Sequence, residues 1–188
     1  MKKIILLCAV LITNISFSQT KDTFHFKSGE EFLKHCDFVN SLRDSFYANK
    51  YTDSILIELN KYRVSKGLNQ LELDSNLIAT AELQAVHNAQ YDICTHINKQ
   101  QDIKTLRDRA IKCGTSNHIE AEIASQISLF LLGLSEKLTV SEEIIFNFKN
   151  SSAHNNIMLQ DNIKKCGISI HQSQLNKNHL HTIIVFSR

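Results

Sequence analysis

The apolar residues of this chain change period once. From Thr52 to Asn150 they recur mostly at three- and four-residue spacing. From Cys166 to Phe186 they gather into two short runs, CGISI and HTIIVF, joined by the polar stretch QSQLNKN. Three- and four-residue spacing puts apolar side chains on one face of a helix, whereas short β-branched runs bounded by polar residues form strands. Helices first and a strand pair last predict a layered α+β domain rather than a parallel α/β sheet.

Proline is absent and glycine occurs five times, so boundaries rest on period and caps. In TDSILIELNKYRVSKG the residues Ile55, Leu56, Leu59, Tyr62 and Val64 mark a first helix that Gly67 stops. Asp74 or Ser75 caps a second, carrying Leu77, Ile78, Ala81, Ala85, Val86, Ala89 and Ile93. Residues 95–118 are polar and predict a loop with a short helix around 102–112. A third helix is expected over 119–133 and a fourth over 140–150, the latter capped by Thr139 or Ser141. The final two runs predict a β-hairpin.

The first residues belong to another category. Lys2 and Lys3 precede the apolar run IILLCAVLI, and Ser16 and Ser18 flank a small-x-small cleavage site. That order predicts a signal peptide over residues 1–18, cut before Gln19, and its apolar run is too short to span a bilayer. Cys8 lies inside that run, which argues against a lipoprotein anchor. Residues 19–49 form an N-terminal extension with a short helix around 30–47, and the domain proper covers 52–188. The expected location is periplasmic or secreted, with no transmembrane segment after cleavage.

Removing Lys2 and Lys3 leaves 19 Lys+Arg against 19 Asp+Glu, a balance that argues against nucleic acid as the main partner. Cys36, Cys94, Cys113 and Cys166 survive cleavage. Export permits one or two disulfides among them, in three possible full pairings, and free buried thiols are the equal alternative. No CxxC spacing indicates a redox motif or a zinc knuckle.

HExxH, GxSxG, the P-loop and GxGxxG are all absent. Cys94 and His96 stand two residues apart, but such spacing in a loop does not fix a nucleophile–base pair. What remains is His96 after the second helix, the pair Glu120 and Glu122 at the start of the third, and His154 in a small-residue stretch after the fourth. Two histidines with a carboxylate are a ligand set that suits zinc. The plainer alternative is three unconnected surface groups. His87 is expected to pack on its helix. His25, His35, His118, His171, His179 and His181 are expected at the surface, the last two alternating on a strand where they could hold a metal adventitiously.

Five short motifs then fall in one order. Asn60, Arg63, Gly67 and Leu68 end the first helix, and Leu71, Asp74, Leu77 and Ala81 open the second, with His96 beyond it. Arg109 and Gly114 follow in LRDRAIKCG, then AEIAS around Glu122, then FKNSSAHNNIML with His154; CGISI and HTIIVF close the chain. Over residues 52–188 this pattern resembles the CAP superfamily (cysteine-rich secretory proteins, antigen 5, pathogenesis-related proteins) in its bacterial form.

The resemblance implies an α–β–α sandwich in which helices pack around a small antiparallel sheet with a central cleft. It also implies a cleft set of two histidines and two glutamates that holds zinc or another divalent ion in some members. Those residues map to His96, His154 and Glu122, with Glu120 as fallback. The second glutamate's place falls at Ser151, because Phe148 stands where the family has tryptophan. The expectation is a secreted, non-catalytic protein whose cleft (His96, Glu122, His154, Ser151) takes a lipid, a glycan or a protein partner outside the cytoplasm, since no nucleophile–base–orienter set is visible. The alternative is a hydrolase using Zn2+ bound by His96, His154 and Glu122, with an open position for water. A structural envelope protein that uses the scaffold for contacts alone is a third.

Overall fold

A computed structural model describes residues 48–115, 118–134 and 139–188, and the single position 34. The signal peptide, the helix expected around 30–47 (position 34 aside) and Cys36 lie outside the described residues. Helix α1 (Ala48–Ser65) is followed by strand β1 (Glu72–Leu73), α2 (Ser75–Tyr91), a 3-10 turn (Gln101–Ile103) and α3 (Leu106–Lys112). Then come β2 (Ile119–Ser128), α4 (Leu129–Leu134), α5 (Val140–Asn150), α6 (Ser152–Met158), β3 (Lys165–Gln172) and β4 (His179–Ser187). The strands form one sheet in the order β1-β3-β4-β2. β1 is parallel to β3, and the other neighbours are antiparallel.

Local chemistry explains most of these boundaries. Gly67 takes φ 77° just beyond α1, a left-handed conformation that costs a glycine nothing. The Asp74 carboxylate accepts from the Asn76 and Leu77 amides and caps α2. Thr105 and Thr139 each form a capping box, with Asp108 and Glu142 as partners, at α3 and α5.

Two apolar layers cover the two faces of the sheet. On one face α1, α5 and α6 pack Ile55, Leu59, Ile144, Phe148 and Met158 against Ile123, Ile127, Ile168, Ile170, Leu180, Ile184 and Phe186. On the other, Leu77, Ala81 and Ala85 of α2 meet Ala124, Ile183 and Val185. The result is an α–β–α sandwich of mixed α+β class, as the resemblance implies. Alternation along each strand divides residues between the layers. Glu122, Ala124 and Gln126 of β2 therefore share the α2 side with Ser169 and His171 of β3 and His179 and His181 of β4.

Two expectations are corrected here. Residues 119–128 are a strand, with only 129–134 helical. Ala121, Ile123 and Ile127 fall at period-two positions, and pairing with β4 satisfies the backbone groups on that edge of the strand. His181 is not at the surface: it is fully buried. Its Nε2 and the Nδ1 of His179 both lie 3.0 Å from the carboxylate of Asp92, the left-handed residue that ends α2.

Candidate functional site

His96 stands on the loop that leaves α2, and the buried polar face of α2 holds that loop. Gln84 Nε2 and Asn88 Nδ2 both donate to the Thr95 carbonyl, at 2.8 and 3.0 Å. Asn98 Nδ2 donates to the Leu83 carbonyl at 3.1 Å and ties the loop back to the helix. His87 is buried as expected, and its Nε2 accepts from the Lys99 amide at 3.2 Å. Burial pushes its pKa down.

The loop and the sheet meet at Glu122. His96 Nδ1 lies 3.0 Å from Glu122 Oε1, and Arg109 of α3 donates its NH2 group to Glu122 Oε2 at 2.6 Å. The Glu122 side chain is 2% exposed and that of Arg109 0%, whereas His96 is 50% exposed. Arg109 NH1 points at the carbonyls of His96, Ile103 and Lys104 at 3.3–3.4 Å. A buried carboxylate and a buried guanidinium thus compensate each other, an arrangement that persists only while both are present.

His154 reaches the same region from the other layer. It lies in α6 rather than in an irregular loop, and its ring meets that of Phe148 edge-on, with centroids 5.3 Å apart and planes at 84°. Burial first and the charge of His96 second push the His154 pKa down, so the two imidazoles feel each other and His154 is neutral at pH 7. Ser151 ends α5 and opens α6 without a capping bond from its side chain. Glu120 pairs with Arg188 near the chain terminus instead.

The structure therefore bonds His96 to Glu122 and makes no direct bond from His154 to either. As three ligands of one zinc ion the side chains do not fit in this arrangement. Both Glu122 oxygens are engaged, and no three His, Cys, Asp or Glu side chains among the described residues are placed to hold a metal. Zinc needs three or four protein ligands, and two imidazoles supply two. Glu122 instead accepts a hydrogen bond from the ring of His96. Cys94, Cys113 and Cys166 are free thiols.

Arg109 was legible only as a motif letter, and its role in the site comes from its burial. Apart from this grouping, Glu143 of α5 is half-buried beside Asn147. Burial raises its pKa against an opposing bond from Asn147 Nδ2 at 3.2 Å. An open groove of about 830 Å³ between α1 and β1, lined by Ile57, Asn60, Val64 and Leu73 among others, shares no lining residue with this site.

Comparison with known proteins gives the same frame. The chain matches the cysteine-rich secretory protein family (CAP) over residues 56–186. Among solved structures it resembles an outer surface protein of Borrelia burgdorferi, at 16% identity and a TM-score of 0.56, covering 74% of this chain and 92% of that one. It also resembles an extracellular SCP-domain protein of Bacillus anthracis (15% identity, TM-score 0.57, 75% of this chain and 41% of that one). A cysteine-rich secretory protein of Staphylococcus aureus is similar at 15% identity and a TM-score of 0.53, over 77% of this chain and 40% of that one. The chain spans about two fifths of the last two proteins. No curated protein matches it with significance. With the family model matching well over half its length, the chain belongs to the cysteine-rich secretory protein (CAP) family.

Proposed function

We propose that this chain is an extracytoplasmic binding module that offers the His96–His154 cleft to a ligand and catalyses no reaction there. One observation carries the reading. The Glu122 carboxylate is bonded on both oxygens and shut from solvent, so it is not free to serve as a general base. Two other facts support it. The Ser169 hydroxyl donates to Glu82 and His171 Nε2 lies 2.8 Å from the same carboxylate, so that Ser–Glu–His grouping lacks the hydroxyl–imidazole bond of a nucleophile. The similar proteins of Bacillus anthracis and Borrelia burgdorferi are described as extracellular and outer-surface proteins.

The signal peptide over residues 1–18 delivers such a module outside the cytoplasm. No helix among the described residues is long and apolar enough to cross a membrane. The cleft presents two imidazoles, one of them half exposed, which suit a hydrogen-bonding group of a lipid, glycan or protein, or a divalent ion completed by the ligand itself.

The test uses residues 19–188 beside a His96→Ala/His154→Ala variant, with Zn2+ as the probe in calorimetry and peptide and ester substrates in a turnover screen. The expected result is no turnover in either protein, with or without Zn2+. Binding of Zn2+ at about micromolar affinity, lost in the variant, would make the cleft a metal-binding surface. Zn2+-dependent turnover that disappears in the variant would overturn the binding-module reading in favour of a hydrolase.

A further inference from the structure

We infer that Arg109 is the positioning residue of the cleft. Through Glu122 it fixes which nitrogen of His96 carries the proton, and so decides that His96 meets a ligand as a hydrogen-bond acceptor. The inference deepens the reading of the cleft as a binding site but concerns the ligand-free protein.

A guanidinium has only donors, so whatever lies against Arg109 NH2 at 2.6 Å must accept. That atom is Glu122 Oε2. With its charge compensated by Arg109, Glu122 is a carboxylate and its second oxygen, Oε1, is an acceptor as well. His96 Nδ1, 3.0 Å from Oε1, must therefore carry the hydrogen. In a neutral imidazole the other nitrogen is then a bare lone pair. His96 is half exposed, so Nε2 is the atom left for a ligand.

Arg109 also holds the ring's own backbone. NH1 reaches the His96 carbonyl, while Gln84 and Asn88 hold the carbonyl of Thr95 just before it. The peptide oxygens before and after the His96 Cα are thereby fixed, and the ring is oriented through Glu122. Arg109 thus acts on the loop, beside Gln84 and Asn88, and on the rotamer and tautomer through Glu122. The ligand class follows: a group that donates to nitrogen, such as a hydroxyl or an amide N–H, or a cation that accepts its lone pair. On the neutral ring a carboxylate or phosphate oxygen would face that lone pair and find no donor.

Substituting Glu122 by glutamine tests the role of Arg109 without changing the shape of the site. A glutamine has one acceptor and one donor group. If Arg109 governs, it claims the amide oxygen and turns the NH2 group toward His96 Nδ1. The ring must then accept at Nδ1, and its proton moves to Nε2. If Arg109 does not govern, the amide turns its oxygen to His96 and the proton stays where it was.

The measurement is the two-bond 1H–15N spectrum of histidine-labelled protein, residues 19–188, at about pH 8, where free imidazoles are neutral. His96 is assigned with His96→Gln. Wild type is expected to show the proton on Nδ1. E122Q is expected to show it on Nε2, with the His154 signals unmoved. R109K, which keeps a charged donor, is expected to retain the Nδ1 proton. A wild-type proton on Nε2 overturns the proposal, and so does an E122Q protein that is folded with the proton still on Nδ1. Should E122Q not fold, the wild-type and R109K spectra decide. Because no ligand is present, failure here leaves the binding-module reading standing, and failure of that reading leaves the tautomer intact.

Discussion

At the scale of single residues, the most consequential feature outside the cleft is the grouping of buried His181 with the half-buried Asp92 and His179. Burial pushes the His181 pKa down, and the contacts with Asp92 only partly oppose it. Burial raises that of Asp92, but bonds from His181, His179 and Ser173 outweigh it and leave the carboxyl below its ordinary value. Gln126 and Asn176 complete the surroundings, their Nε2 and Nδ2 groups respectively lying against the ring of His179. The folded pKa of His181 lies below its unfolded value near 6.5, so the unfolded chain binds a proton there that the folded chain does not. Its contribution is whole above about pH 6.5 and declines as the pH falls below that value. His87 and His154 act in the same direction. We expect the urea midpoint to drop between pH 7.5 and 5.5 and His181→Gln to shrink that drop; a drop of unchanged size in the variant would show that His181 is charged in the folded protein.

At the scale of elements, one contact sets how closely helix and sheet approach. A Cβ placed on Gly167 of β3 would come within 2.0 Å of the Leu77 carbonyl carbon and 2.2 Å of the Ile78 nitrogen. The first turn of α2 therefore lies against bare strand backbone, and no side chain can move aside to admit a methyl group. Gly167→Ala must push α2 off the sheet, along with Leu77, Ala81 and Ala85 and, at the far end of the helix, the His96 loop. We expect a loss of at least about 3 kcal/mol, seen as a lowered denaturation midpoint. A loss under about 1 kcal/mol would mean that the helix can shift at little cost. By contrast, adding a Cβ at Gly114 would meet no atom closer than 3.8 Å, and that glycine is required only for its φ of 76°.

At the scale of the whole molecule, the layers bury Cys166 completely, on a strand with neighbours on both sides. Burial pushes its thiol up to about 12, although the positive charge of Arg63 pulls the other way. Arg63 is itself buried and ties α1 to the end of α6 through the carbonyls of Met158 and Gln160, at 2.6 and 2.9 Å. Exposing Cys166 therefore requires the two layers to part. In thiol labelling we expect Cys166 to react only at the global unfolding transition, while Cys94, at the surface, reacts in the folded protein. Labelling of Cys166 well below the unfolding midpoint would reveal a local opening between α1 and β3.

Local chemistry is what the sequence alone determined. Gly67, Asp74 and Thr139 act on residues within a turn of themselves, so the ends of α1, α2 and α5 could be read directly, as could the closing strand pair. The motif residues His96, Glu122 and His154 were legible for a similar reason, as types at set places in an order of elements. Tertiary structure decided what depends on groups far apart along the chain. IEAEIASQIS suits a helix or a strand by itself and became β2 because β4 was there to pair with it. Glu122 became a buried, doubly bonded carboxylate because Arg109 and His96, 13 and 26 residues away, converge on it. His181, polar by type, went into the interior because Asp92 at the end of α2 arrives to bond it. Burying a charge or a polar ring is stable only when its partner is delivered at the same place, and that delivery is a property of the fold.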